Sequence, residues 1–169
     1  SLFFHYYRDG NSYKELVRTV FADPEVVDFF EKHFINVAVE SDQSSIFFLN
    51  SEGEELHRVK GSWSAEELLD EARKALGGEG LGALEQRYFQ GEREAEFLER
   101  YLFVLDKAGE GKRASEVARV YFQGKTPDCL LKGKYWKIFE QYVQDPDSKL
   151  FQYLLSHREE LNELYGAEM

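Results

Sequence analysis

The first apolar stretch, Leu2–Tyr7 (LFFHYY), shows no polar alternation and ends at Asp9-Gly10-Asn11. A run that short, closed by turn residues, predicts a strand buried on both faces. Past the turn the period changes. Tyr13, Leu16, Val17, Val20 and Phe21 recur at helical spacing, and Ser12-Tyr13-Lys14-Glu15 fits a capping box opening that helix. Asp23-Pro24 predicts a second helix start, with Val26, Val27, Phe30 and Phe34 as its apolar stripe. Ile35–Glu40 (INVAVE) alternates and reads as a strand, and Ile46–Leu49 (IFFL) as another strand buried on both faces. NSEGEE predicts a hairpin turn into a return strand, Leu56–Lys60. Ser64-Ala65-Glu66-Glu67 is a second capping box, opening a helix that Gly77-Gly78 stops after Leu76.

GGEGLG, residues 77–82, reads as a flexible linker. Beyond it only helical periodicity remains, in stripes at 81–89, 94–108, 114–122, 135–143 and 148–165 punctuated by Gly and Pro. YFQG starts at Tyr88 and again at Tyr121, 33 residues on, close to a helix-pair repeat such as the tetratricopeptide unit. The pattern predicts an α/β domain at 1–76, a linker at 77–82 and an all-α domain at 83–169. That second domain reads either as helical hairpins, tetratricopeptide-like, or as an irregular bundle.

Composition narrows the function classes. With 169 residues and 43% hydrophobic content the chain can build one domain or two small ones, and 14 Phe and 10 Tyr foretell ring-rich packing. A formal net charge of −11 argues against nucleic acid and against docking on anionic lipid. No apolar run is long enough for a membrane span. Ser1 stands directly before a strand without an initiator Met, so the chain reads as a processed or trimmed form. Cys129 is the only cysteine, which rules out an intramolecular disulfide.

Candidate chemistry is sparse. His5, His33, His57 and His157 are scattered without ligand spacing, so no metal site and no cofactor is expected. His57 and Arg58 read as solvent-facing residues of the return strand. The pairs Glu54-Glu55, Glu66-Glu67 and Glu159-Glu160 read as solvated faces. GEGKR, Gly109–Arg113, lacks phosphate-loop spacing and reads as an interhelix turn. Rings from Tyr88 to Tyr153 recur at helical spacing and read mainly as core.

The order strand, turn, helix, VFADPEVVDFFEKHFINVAVE, strand, NSEGEELHRVKG, helix resembles a thioredoxin-like fold. Val20–Glu40 resembles the segment after the redox motif in bacterial thiol-disulfide interchange proteins, and Ile46–Gly61 resembles their final hairpin. Residues 81–169 are similar to the helical extension of some of these proteins, especially in Bacteroidetes. The resemblance implies thiol chemistry at the β–α junction and a periplasmic or envelope setting. In that family the helix opens with Cys-x-x-Cys-Lys. With Lys14 on that Lys, Gly10 and Tyr13 stand at the two cysteine positions and Asn11 and Ser12 between them. Ser44 stands near the position of the family's cis-proline. Dithiol exchange needs an activated thiolate and a resolving thiol, and neither Gly10 nor Tyr13 supplies one.

The expectation is therefore a redox-inactive, thioredoxin-like protein with vestigial positions Gly10, Asn11, Ser12, Tyr13 and Ser44 and no catalytic residue. It would serve as a protein- or peptide-binding or structural module. The alternative is a thiol-disulfide oxidoreductase- or isomerase-related protein of redox homeostasis. Two geometric expectations accompany it. The short link Ser41–Ser45 should cross the end of the first strand close to Asp9–Tyr13, since about five extended residues reach roughly 16 Å. The helices of 12–33 and 65–76 would cover one sheet face, leaving the other to the 81–169 helices or to a partner subunit.

Overall fold

A computed structural model describes residues 1–8, 10–42, 44–61 and 63–166. The strands are β1 (Leu2–Tyr7), β2 (Ile35–Glu40), β3 (Ser45–Leu49) and β4 (Glu55–Lys60). They form a four-stranded mixed sheet in the order β2-β1-β3-β4. β1 runs parallel to β2 with Leu2 opposite Ile35, and antiparallel to β3 with Phe3 opposite Phe48. β3 and β4 form the hairpin, closed where Asn50 Oδ1 accepts the N–H groups of Glu52 and Glu54 at 3.0 and 2.8 Å. The parallel pair needs a crossover. α1 (Asn11–Leu16), a π-helical continuation (Val17–Phe21) and α2 (Pro24–His33) provide it. Asp23 caps α2, accepting from the Glu25 and Val26 N–H groups. The capping box at α3 (Ala65–Leu76) is complete: Ser64 accepts from the Glu67 N–H and Glu67 from the Ser64 N–H.

The capping box expected at Ser12 is not formed. α1 starts at Asn11 with Gly10 as its cap residue, and no side chain among the described residues caps it. The Gly10 carbonyl accepts the Lys14 N–H at 3.1 Å, which leaves Ser12 inside the first turn.

β1 and β3 are buried on one face, not on both. Phe3, Ile46, Phe48 and Val59 pack beneath α2 and α3 with Val26, Phe30, Phe34, Leu68 and Ala72. The core is a cluster of rings, with Phe3 edge-on to Phe30 at 4.7 Å and 76° and tilted against Phe48 at 5.4 Å and 49°. On the other face Phe4, Tyr6 and Phe47 are half-buried. They shield one another, Tyr6 edge-on to Phe47 at 5.4 Å, with the Arg58 guanidinium 5.5 Å from the Phe47 ring centre. Ile35, on the same face at the β2 edge, is 67% exposed.

The remaining helices are α4 (Leu81–Phe89), α5 (Ala95–Lys107), α6 (Gly111–Phe122), α7 (Gly133–Tyr142), α8 (Lys149–Ser156) and α9 (Arg158–Tyr165), with a 3-10 turn at Pro127–Leu131. Contacts divide the chain into two units, 1–93 with 103–109, and 94–102 with 110–169. The stretch 77–82 thus lies inside the first unit. A Cβ on Gly80 would stand 2.5 Å from the Leu56 carbonyl oxygen, and one on Gly82 would strike the Glu55 carbonyl. These glycines let α4 close on β4, an edge strand whose free polar row needs covering. So α4 and the end of α5 join the sheet's unit; α4 meets it at β4, and Lys107 at the end of α5 meets Glu71 on α3.

In the second unit, Trp136 stacks on Tyr165 at 4.8 Å and 7°, and the Tyr165 hydroxyl donates to the Leu130 carbonyl at 2.9 Å. The stretch 148–165 is two helices, not one. The Ser156 hydroxyl takes the Gln152 and Tyr153 carbonyls, and His157 stacks on Tyr153 at 3.9 Å, outside helical geometry. The YFQG copies share only a local task. Each ends a helix before a positive-φ glycine, Gly91 at 97° and Gly124 at 79°. Phe89 is 72% exposed while Phe122 is 7%, and the two belong to different units.

Candidate functional site

The β1–α1 junction collects the residues singled out in the sequence. Asp9 lies outside the described residues. Gly10, Asn11, Ser12 and Tyr13 line a cleft of about 370 Å³, and Ser44 lines it too. The link between β2 and β3 crosses here as expected. The Ser41 N–H donates to the Tyr7 carbonyl at 2.7 Å, and the Arg8 guanidinium donates to the Asp42 carbonyl. Sequence reasoning missed other lining residues, among them His5, Leu16 and Trp63. Tyr7 and Tyr13 stack face to face at 4.0 Å and 10°, so Tyr13 extends an aromatic wall into the place where the resemblance sets a thiol.

His5 is the unusual member. Only 4% of it is exposed, and it has no hydrogen-bond partner among the described residues. Its ring lies 4.6 Å from Phe21 and 5.4 Å from Tyr13. Burial pushes its pKa down to about 4, so the imidazole is neutral near pH 7. A second cavity of about 310 Å³, between α2 and β2, is lined by Phe3, Phe21, Val26 and Phe30 and shares His5 and Tyr13 with the first.

His57 does not face solvent. It is fully buried, stacked under Phe48 at 6.0 Å and 17°. Its Nδ1 accepts the Leu81 N–H at 3.2 Å, which puts the ring hydrogen on Nε2, donating to Glu71 Oε2 at 2.7 Å. Glu71, 1% exposed, also accepts from Lys107 Nζ at 2.6 Å and Lys74 Nζ at 3.0 Å. Burial pushes its carboxyl up, but bonds from His57, Lys107 and Lys74 outweigh that and hold it at about 2. A carboxylate–imidazole pair can serve as a general base only if one nitrogen is free to meet a substrate. Here both are taken, so the pair ties β4, α3, α4 and the end of α5 together. The signal lay in the alternation: His57 shares a face with Val59, and Glu71 falls within the Leu68–Ala72–Ala75 stripe.

The other candidates remain apart. His33 packs on Phe29 at 4.5 Å and His157 on Tyr153. No group of three His, Cys, Asp or Glu able to hold a metal ion occurs among the described residues. No helix there is long and apolar enough to cross a membrane. Glu67 serves its cap, Glu55 pairs with Arg58 at 3.2 Å, and Glu159 and Glu160 open α9. Of Gly109–Arg113, only Gly109 and Glu110 lie between α5 and α6; Gly111–Arg113, read as part of an interhelix turn, open α6. Cys129 is half-buried in the 3-10 turn, its thiol pKa raised by burial and by Asp128. Comparison with protein-family models, curated proteins and solved structures found no match to this chain.

Proposed function

We propose that the chain is a redox-inactive, thioredoxin-like module with a helical extension that binds a protein or peptide. The observation carrying this reading is the cleft at the β1–α1 junction. It gathers Gly10, Asn11, Ser12, Tyr13 and Ser44, positions where the resemblance would set redox and cis-proline residues, around aromatic walls and no thiol. The strand order supports the resemblance, because β2 and β3 flank β1 on opposite sides, as in a thioredoxin sheet. What remains at the junction is a recess with rings, a neutral imidazole and a polar rim, which suits binding better than electron transfer. Cys129 offers no substitute, since burial disfavours its thiolate and it has no resolving partner in the chain. Insulin reduction with dithiothreitol tests the reading. The protein should give no turnover above its Cys129→Ser variant, and turnover that the variant loses would restore the oxidoreductase alternative.

A further inference from the structure

A buried polar side chain ordinarily finds a partner within the fold, and one whose nitrogens open onto a cleft can take a partner from outside it. His57 obeys that rule twice over, whereas His5 lines an open cleft with neither nitrogen bonded among the described residues. The cleft's other walls are the Tyr7–Tyr13 stack, Trp63 and Leu16, surfaces that fit a flat ring. Outside them lie the exposed side chains of Asn11, Ser12, Asp42 and Ser44, which could meet the amides of a passing backbone.

We propose that this cleft takes a tyrosine side chain from an extended segment of a partner protein, its hydroxyl bonded to the His5 imidazole. This rests on the binding reading above and names its anchor. A phenol suits a neutral imidazole in either tautomer, donating to the bare nitrogen or accepting from the protonated one. A phenyl ring would fill the same space and leave His5 unpaired. Burial keeps the ring uncharged near pH 7, so the match needs no opposite charge on the ligand.

The test is a titration of the full chain, labelled with ¹⁵N in His and Trp, with acetyl-Gly-Tyr-Gly-amide, acetyl-Gly-Phe-Gly-amide and p-cresol. Shifts of the His5 ring nitrogens and the Trp63 indole N–H are followed. The tyrosine peptide should bind at least about tenfold more tightly than the phenylalanine peptide, the factor that one hydrogen bond supplies. p-Cresol should move the same resonances more weakly than the tyrosine peptide. In His5→Phe, read at Trp63, the two peptides should become equal. Trp63→Phe, read at His5, should weaken both and keep the preference. Equal affinity for the two peptides, no shift at His5, a preference that survives His5→Phe, or p-cresol binding as tightly as the peptide would each overturn the proposal. Such an outcome with no insulin turnover would remove the tyrosine anchor while leaving the redox-inactive reading intact.

Discussion

Two histidines sit on the helix-covered face of one sheet, and the fold treats them oppositely. His57 on β4 is closed in by Glu71 on one nitrogen and the Leu81 N–H on the other. His5 on β1 is nearly as buried, but its neighbours are rings and a cleft. Removing the partner of a satisfied buried group leaves an uncompensated charge or dipole, while removing a group whose nitrogens open onto a cleft breaks no bond in the fold. The first histidine is therefore part of the frame, and the second is where we propose that a ligand binds.

The largest effect should come from breaking the frame. Glu71→Gln takes the charge from between His57, Lys74 and Lys107 and should lower stability by about 3–5 kcal/mol in urea unfolding. A loss below about 1 kcal/mol would place the network at the margin. Next come the glycines that let α4 close on β4. Gly80→Ala drives a methyl into the Leu56 carbonyl and should cost about 1–3 kcal/mol, with faster amide exchange at Leu81. A true linker would tolerate alanine there.

Acid should separate the two histidine environments by pH window. His5 has a folded pKa near 4 against an ordinary 6.5, so the unfolded chain binds its proton first, and stability falls as pH drops from 6.5 towards 4. Glu71 has a folded pKa near 2 against 4.5, so its contribution is present above 4.5 and lost as pH falls towards 2. Stability measured against pH should thus decline in two stages. His5→Phe should remove the upper stage, and Glu71→Gln should shrink the lower, to which Glu67 and Glu99, also held below the ordinary carboxyl value, contribute. An unchanged upper stage in His5→Phe would mean that another group titrates there.

Much of this frame was legible in the chain. Alternation and helical spacing located the strands and most helices, and Ser64 and Asp23 cap where local chemistry says they should. The link between Glu40 and Ser45 crosses beside the β1–α1 turn because four residues have nowhere else to go. Failures came where tertiary packing decides. GGEGLG has the composition of a linker, yet its glycines are needed where backbone meets the β4 carbonyls. The alternation put His57 on the Val59 face, but that Lys107, far along the chain from β4 and α3, joins the network around its partner Glu71 was not legible. At the cleft, the positions from Gly10 to Tyr13 were readable from order alone. Trp63 and His5 were not, because their convergence depends on how β4 leads into α3 beside β1.

Equilibrium urea unfolding of His5→Phe and His57→Phe, run in parallel, tests the contrast most directly. His57→Phe should lose about 3 kcal/mol or more, since it strands the Leu81 N–H and Glu71 Oε2 and leaves the buried carboxylate only the two lysines on Oε1. His5→Phe should stay within about 1 kcal/mol of the parent chain, or gain, because no protein partner among the described residues loses a bond. Equal losses in the two variants would contradict the account, by making His5 a structural residue and the cleft no more than a packing defect.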